Sequence, residues 1–379
     1  MTSTERTATF SLASLFVARM LGLFMVLPVL SLYAAQLHGA TPLLIGMAVG
    51  IYGITQASLQ IPFGMLSDRY NRKIIIAAGF IFFVLGSILA ATADSITQMI
   101  IGRALQGASA VGGATIALAT DLTREQERPK AMAIIGIMIG GSFSVAMMVG
   151  PVLSQWTNVD GLFWISASLG LVGLAILAFL VPPAPPTLQH NLSSWVQLKN
   201  LIAHPVLMRV NLGVFILHTV LTANFVVLPI LLRQQPYIYI PVLITVLFLL
   251  IPLLKIARQT TLLHPLSLGA IFLLLIAEIL FLTPLYIGFS LIIFFTAFTF
   301  LEASLPSLIS HIAPSHSKGA AMGIYTCFQF LGIFVGGIAG GFIYGHYSAY
   351  NVFIFCAILA TMWLIYFSFM REPNHGTRH

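Results

Sequence analysis

Charged residues are scarce in this sequence. Only 7% of the 379 residues are Asp, Glu, Lys or Arg, whereas 59% are hydrophobic. A soluble domain carries about 25% charged residues, so this chain has too few to cover a water-facing surface. Lys and Arg outnumber Asp and Glu by 17 to 10. In a soluble protein this balance would suggest nucleic-acid binding, but here we attribute it to basic loops beside a membrane and expect no nucleic-acid partner.

Cysteine and the motifs of enzyme active sites are also nearly absent. Cys327 and Cys356 both lie in apolar segments, which indicates small buried side chains rather than a disulfide framework or a metal site. No Ser/His/Asp set, HExxH motif or glycine-rich phosphate loop occurs. Alternating ten-residue strands of an outer-membrane barrel are not found either. The apolar stretch after Arg6 contains Arg19 and runs too long for a cleavable signal. We therefore expect neither an enzyme, a cofactor nor a metal.

Long apolar segments fill most of the chain. A membrane-spanning helix needs about 20 predominantly apolar residues. This criterion predicts an all-α membrane protein with twelve transmembrane helices, at 9–35, 43–65, 74–93, 97–120, 130–154, 160–181, 207–232, 238–257, 264–285, 287–310, 319–344 and 347–370.

A proline-rich and then polar segment divides these spans equally. It predicts an N-terminal six-helix bundle over 1–181, a cytoplasmic linker over 182–206 and a C-terminal six-helix bundle over 207–379. The mildly amphipathic stretch around Trp195 predicts an interfacial helix within the linker.

Lys and Arg are concentrated in every second loop. The odd-numbered loops contain only Arg233, and the even-numbered loops and the tails contain the other cations that flank the spans. Positive charge accumulates on the cytoplasmic side of membrane proteins. The alternation therefore predicts that both termini are cytoplasmic.

The loop between spans two and three, "GMLSDRYNRK", has a specific spacing. Its pattern is G-x-x-x-D-R-x-x-R-K, formed by Gly64, Asp68, Arg69, Arg72 and Lys73. On charge alone it would be only a basic cytoplasmic loop, whereas the spacing is specific.

Two further motifs lie in spans four and five. "GRALQG" gives Arg103 in an R-x-x-Q-G arrangement, and "AMMVGPVLSQ" keeps Gly150 and Pro151 of a G-x-x-x-G-P-x-x-G-G pattern. The sequence departs from this last pattern at three positions: Ala146, Ser154 and Gln155 stand where the pattern has glycines.

Together these motifs resemble the major facilitator superfamily over essentially the whole chain. The resemblance is to its drug:proton antiporter branch, and within it to YajR-type inner-membrane transporters, without the soluble domain that those proteins carry after the last span. It implies two pseudo-symmetric six-helix bundles that surround a central cavity.

The resemblance also implies a conformational latch in the first loop. Asp68 would accept backbone N–H bonds at the start of span eleven, and Arg72 would pair with Asp121 at the end of span four. Gly64 would let span two approach its neighbour closely. Such a latch would tie the halves together on the cytoplasmic side and favour the outward-open state.

Ionisable residues inside the spans are the candidates for proton coupling, because each costs about 2.5–3.5 kcal/mol at the bilayer centre. The candidates are Glu302, His218, Arg103 and Glu278. Glu302 is favoured, since a carboxyl in a low-dielectric site takes up a proton near neutral pH. Each of these residues can instead be a structural group bonded inside the bundle, and a lone histidine on an apolar helix usually is.

Spans one, four, seven and ten surround the cavity in the resembled superfamily. The predicted substrate cavity residues are Arg19, Phe24, Met25, Thr115, Thr222, Asn224 and Phe298. For each one alone, lipid contact or core packing is the alternative.

Three functions remain open from the sequence. The favoured one is proton-coupled efflux of small amphipathic, drug-like molecules by alternating access, driven by the proton gradient. The alternatives are proton-linked uptake of a nutrient, and a sensor or scaffold that does not transport. We expect a monomer in the bacterial inner membrane, with a small-molecule substrate and membrane lipids as its partners.

Overall fold

The computed structural model describes residues 1–183, 195–257, 260–314 and 317–369. Within them the chain forms fourteen α-helices and two short 3₁₀ turns. The helices are α1 (Ser3–Phe24), α2 (Leu27–Ala34), α3 (Pro42–Arg69), α4 (Arg72–Ala91), α5 (Ile96–Gly107), α6 (Gly112–Asp121), α7 (Arg128–Phe179), α8 (Trp195–Ala203), α9 (Pro205–Leu231), α10 (Tyr239–Ala257), α11 (Thr260–Leu280), α12 (Ile287–Ile312), α13 (Lys318–His346) and α14 (Ala349–Ser368).

These helices account for the twelve predicted spans. Span one is α1 and α2, interrupted at Met25, and span four is α5 and α6, interrupted over 108–111. Spans five and six both lie within α7. The chain changes direction between them at Asn158, whose φ is 56°. Ten segments of the described chain are long and apolar enough to cross a membrane, because α7 counts once and α5 and α6 are each too short.

The linker is described only in part. A helix, α8, occupies the place of the predicted interfacial helix, but residues 184–194 and the side chains of 195–198 lie outside the described residues. The division into bundles at 182–206 stays a prediction. We use "N-terminal half" for α1–α7 and "C-terminal half" for α9–α14.

Polar caps fix where several spans begin. Thr41 Oγ1 accepts a bond from the Leu44 N–H at 3.3 Å before α3, and Ser95 Oγ accepts one from Gln98 N–H at 3.3 Å before α5. At α4 the Asn71 side chain accepts the Lys73 N–H at 2.9 Å. Because these caps satisfy free backbone donors, each apolar helix can start at the edge of its apolar run.

The two ends of the bundle are named here by their loops. The inner end contains the N-terminus and the turn between α3 and α4, and the outer end contains the turn between α2 and α3.

In the N-terminal half, a side chain on Gly150 of α7 would overlap the backbone of Met25, at the break between α1 and α2. The break and the glycine therefore fit one another.

The halves meet along α3 and α13, which run in opposite directions. Glycines of α3 face glycines of α13 near the outer end, and a Cβ on Gly50 would lie 2.9 Å from the Ile333 carbonyl oxygen. The contact continues as far as Ala57, whose carbonyl oxygen lies 3.7 Å from Cys327 Sγ. Small residues of this kind let helix backbones approach closely in a membrane.

Beyond this point the two helices separate. Apart from the neighbouring backbone of its own helix, no atom of the described residues lies within 4 Å of a Cβ placed on Gly64 of α3, or on Gly319 and Gly323 of α13. At the outer end, by contrast, Ser31 Oγ of α2 donates to the Phe225 carbonyl of α9 at 2.7 Å. The structure is thus closed at its outer end and open at its inner end.

Candidate functional site

Three polar side chains of the C-terminal half meet near the middle of the bundle. Glu302 of α12 accepts a bond from the Gln329 amide of α13 at 2.9 Å through Oε1. Its Oε2 lies 3.4 Å from His218 Nε2 of α9. The Gln329 amide nitrogen is also 2.9 Å from His218 Nε2. The two candidates Glu302 and His218, predicted separately, are therefore close together, and both contact Gln329, a residue that sequence reasoning missed.

These contacts involve both ring nitrogens of His218. An amide nitrogen can only donate, so His218 Nε2 must accept. The other ring nitrogen, Nδ1, lies 3.1 Å from the Val214 carbonyl oxygen and donates to it. In this arrangement the Gln329 amide nitrogen is within hydrogen-bond distance of both Glu302 Oε1 and His218 Nε2.

The Glu302 carboxyl faces the gap between the halves. Phe298 lies one helical turn before Glu302 on the same face of α12, and its ring is 5.9 Å from Phe143 of α7 in the other half. The Glu302 side chain is 37% exposed, whereas that of His218 is 5% exposed. The Glu302 side chain is therefore partly exposed beside the contact between the halves, although its Oε2 atom is buried, rather than deep in the low-dielectric interior that we expected.

An aromatic row crosses from one half to the other beside this group. Phe24 of α1 meets Phe143 edge-on at 5.0 Å, and Phe298 meets the His218 ring at 5.6 Å. Phe24 and Phe298 were predicted to line the cavity. Phe143 was missed, because a phenylalanine in an apolar run gives no sequence signal.

The N-terminal half holds its two buried arginines in a separate network. Arg19 donates to the Gln56 side-chain oxygen at 2.7 Å and to Ser109 Oγ at 3.1 Å. Arg103 donates to the Gln106 side-chain oxygen at 2.7 Å and lies 4.7 Å from the centre of the Tyr52 ring. Among the described residues, no carboxylate lies within 4.0 Å of either guanidinium. Hydrogen bonds from neutral polar groups therefore stabilise their positive charges.

Glu278 has a partner that the sequence did not reveal. The Asn224 amide of α9 donates to Glu278 Oε1 of α11 at 2.7 Å, and both residues are fully buried. Asn224 is thus a partner of Glu278 that the sequence analysis did not identify. In this conformation Asn224 is buried beside Glu278, and its role as a cavity residue stays a prediction.

The remaining predicted cavity residues are buried in this conformation. Met25, Thr115 and Thr222 are all 3% exposed or less. Thr115 donates to the Val111 carbonyl of its own helix at 3.0 Å. None of the three lines open space here, and their role as cavity residues stays a prediction.

The charged loop at the inner end is organised around Arg72. Its Nε lies 2.7 Å from Asp121 Oδ2, and its Nη1 lies 3.0 Å from Asp68 Oδ1. Lys73 donates to the Val181 carbonyl at 2.9 Å, and Arg69 is exposed. The Arg72–Asp121 pair is present, but all these bonds lie within the N-terminal half.

The predicted bond from Asp68 to the start of α13 is not formed in this structure. Among the described residues, the Asp68 carboxylate accepts a hydrogen bond from Arg72. Helices α3 and α13 are separated at this inner end. Residues 315–316, which precede α13, lie outside the described residues. The close approach predicted at Gly64 is likewise not made here, because the inner end is open.

Comparison with known proteins assigns the family. The family model of the Major Facilitator Superfamily matches residues 12–257 and 239–379. The chain belongs to the Major Facilitator Superfamily. This superfamily consists of transporters, so the chain is a multi-pass membrane transporter and not an enzyme.

Individual relatives agree with this superfamily assignment. The chain is 41% identical to the inner membrane transport protein YajR of Escherichia coli K12, over 99% of this chain and 86% of that protein. It is 30% identical to multidrug resistance protein 1 of Bacillus subtilis 168, over 49% of this chain and 47% of that protein. The crystal structure of a D-xylose–proton symporter superposes with a TM-score of 0.77 at 14% identity, over 97% of this chain and 99% of that one. The last similarity shows the fold alone.

Proposed function

We propose that the chain exports small amphipathic molecules in exchange for protons by alternating access. This proposal rests on the contact between Glu302, His218 and Gln329, which lies on the side of the C-terminal half nearest the N-terminal half. The distribution of Lys and Arg supports an inner end that faces the cytoplasm, with both termini there. The conformation described here is then the inward-open state.

Proton binding would change the contacts of Gln329. Protonation of His218 turns its Nε2 from an acceptor into a donor, so the Gln329 amide nitrogen can no longer donate to it. The imidazolium then pairs with Glu302 Oε2, which is already 3.4 Å away. The Gln329 side chain must rotate or move away.

This change occurs on the helix that joins the halves. Gln329 is next to Phe330 of α13, whose backbone carbonyl would contact a Cβ on Gly53 of α3. A proton at His218 or Glu302 therefore alters a residue adjacent to the contact between the halves. Differential proton affinity of two conformations is what couples a proton to a conformational change.

The aromatic row supports an amphipathic substrate. Phe24 and Phe143 are partly exposed and offer apolar ring surface to a flat group, and the Glu302 carboxylate lies one turn from Phe298, which packs against Phe143. A cation with an apolar body would contact both surfaces, and protonation of Glu302 would remove its counter-charge. The membrane potential contributes about 2.3 kcal/mol per 100 mV only for each net charge moved, so the exchange of one proton for one monovalent cation is driven by the pH gradient alone.

Flux in proteoliposomes tests this proposal. We expect a pH gradient to drive ethidium out of the compartment that the inner end faces, and Glu302→Gln to abolish the gradient dependence while downhill exchange of the dye continues. Glu125→Gln is the control, since it makes the same change in an exposed acid outside the spans.

Three results of this experiment would contradict the proposal. They are ethidium export that ignores the gradient, equal loss in both variants, and wild-type behaviour of Glu302→Gln. Accumulation of a solute together with protons would favour the uptake alternative instead. Orientation is read from which membrane face exposes the inner-end loops to protease.

A further inference from the structure

The outer end contains a cavity that the transport cycle proposed above does not use. Its volume is about 390 Å³, which lies within the 300–1,000 Å³ range of small-molecule sites. Its walls come from α2 and the turn at Asn158 in the N-terminal half, and from the end of α9 and the start of α10 in the C-terminal half. The rim residues Gln155 and Arg233 are exposed. The cavity is thus an open pocket between the halves, at the end where they are closed.

Two polar groups of this outer pocket have no hydrogen-bond partner among the described residues. They are Asp160 Oδ1 and the Tyr239 hydroxyl, both of which are buried atoms. The Tyr239 residue is only 2% exposed. A buried polar group without a partner destabilises the structure by about 1–3 kcal/mol. Both residues line the pocket, as does Tyr33, whose hydroxyl interacts with the Asp160 carboxylate, so a bound molecule would reach the two buried atoms through rotation of their side chains.

The opposite walls have opposite charges. Among the described residues that line the pocket, Asp160 is the single acid and lies on the N-terminal half, and Arg233 is the single base and lies on the C-terminal half. No ion pair within 4.0 Å joins them or engages either with another described residue. Arg233 is also the one cation of the odd-numbered loops, so its position is unusual for this chain.

The walls between these charges are polar where the superfamily pattern has glycines. Ser154 and Gln155 replace the last two glycines of the third motif, and both line the pocket. Their side chains add hydrogen-bonding groups to a wall that glycines would leave bare.

We propose that this outer pocket binds a small zwitterion, whose ammonium group pairs with Asp160 and whose carboxylate pairs with Arg233. Such a ligand contacts both halves at the end where they must separate for the outer end to open. It binds only the conformation that holds both walls together, and mass action then stabilises that conformation. The ligand is thus an inhibitor that acts from the outer side and leaves the central gap free.

Calorimetric titration of the full-length protein in nanodiscs tests the site. The probes are glycine, diglycine and triglycine, which carry the same two charges at increasing separation. We expect saturable binding of at least one of them, and about tenfold or more weakening in each of Asp160→Asn and Arg233→Gln, since each variant removes one charge-assisted contact. Asp94→Asn is the matched control, because it neutralises an exposed acid of the outer end that does not line the pocket.

Blocked probes test the requirement for two charges. N-acetyl-diglycine lacks the ammonium group and diglycine amide lacks the carboxylate, and both should bind about tenfold or more weakly than diglycine. Ethidium binding in the central gap provides a separate check that each variant is folded. No saturable binding of any glycine probe to the wild type, equal binding of a blocked probe, or unchanged binding in either pocket variant overturns the proposal.

Discussion

Replacing Gly50 by alanine should shift the balance between the two open states. The Gly50→Ala methyl group would lie 2.9 Å from the Ile333 carbonyl oxygen and 3.0 Å from that of Phe334. Ordinary contact begins at 3.4 Å, so α3 and α13 must move apart by about 0.5 Å, the difference between 3.4 and 2.9 Å. Overpacking of this size costs about 1–3 kcal/mol.

This cost applies only while the outer end is closed. The gain in helix propensity from glycine to alanine, about 0.5–1 kcal/mol, is the same in both conformations and cancels. The inward-open state should therefore lose about 5- to 150-fold in population relative to the outward-open state. Gly64→Ala on the same helix is the matched control, because no described atom apart from the neighbouring backbone of its own helix lies within 4 Å of its Cβ here. If Gly64 makes its predicted contact when the inner end closes, Gly64→Ala should shift the balance in the opposite direction.

Distances between spin labels provide the measurement. Labels at Gln36 and Gln234, both exposed at the outer end on opposite halves, report its opening in a background without Cys327 and Cys356. We expect a longer outer distance in Gly50→Ala and a wild-type or shorter one in Gly64→Ala. An unchanged distribution in Gly50→Ala, or the same shift in both variants, would refute this account of the contact between the halves.

Three further changes have defined outcomes. Gly150→Ala should lower the melting temperature and the yield of folded protein, because its methyl group would overlap the backbone of Met25; wild-type melting would contradict the packing described. Arg72→Lys should destabilise the N-terminal half by about 1.5 kcal/mol, since a lysine does not bond to two carboxylates in the geometry of a guanidinium; thermal melts check this, with the exposed Arg69→Lys as the control. Gln329→Leu should reduce gradient-driven transport about tenfold or more while the variant stays folded, because both amide donors are lost; full coupling in this variant would exclude the proposed role of the amide.

The sequence predicted the spans well because each is an apolar run of nearly the length that a membrane requires. It did not predict the interruptions in spans one and four. The residues around Met25 and over 108–111 are as apolar as the helices beside them, so hydropathy does not mark them. The break at Met25 is matched by Gly150, which lies more than a hundred residues further along the chain.

The candidate site was predictable only where charge marked it. Glu302 and His218 stood out because ionisable residues are rare in the spans, but their contact depends on how three helices pack. Gln329 is neutral and therefore escaped notice, although a lone amide in an apolar run is a weak signal of the same kind. The contact of Asn224 with Glu278 was not predictable, because a polar residue on span seven does not reveal which neighbouring helix it faces.

The closeness of α3 and α13 near the outer end has a consequence for the energy of the cycle. Backbones that meet through glycines bury little apolar side-chain area, and lipid is as apolar as the helices that it would replace. Separating the two helices therefore costs van der Waals packing and weak polar contacts, and not a large hydrophobic free energy. Groups at the two ends and around Glu302, where we propose that a proton and a small solute bind, can then bias the two open states without having to overcome a large hydrophobic contribution from this contact.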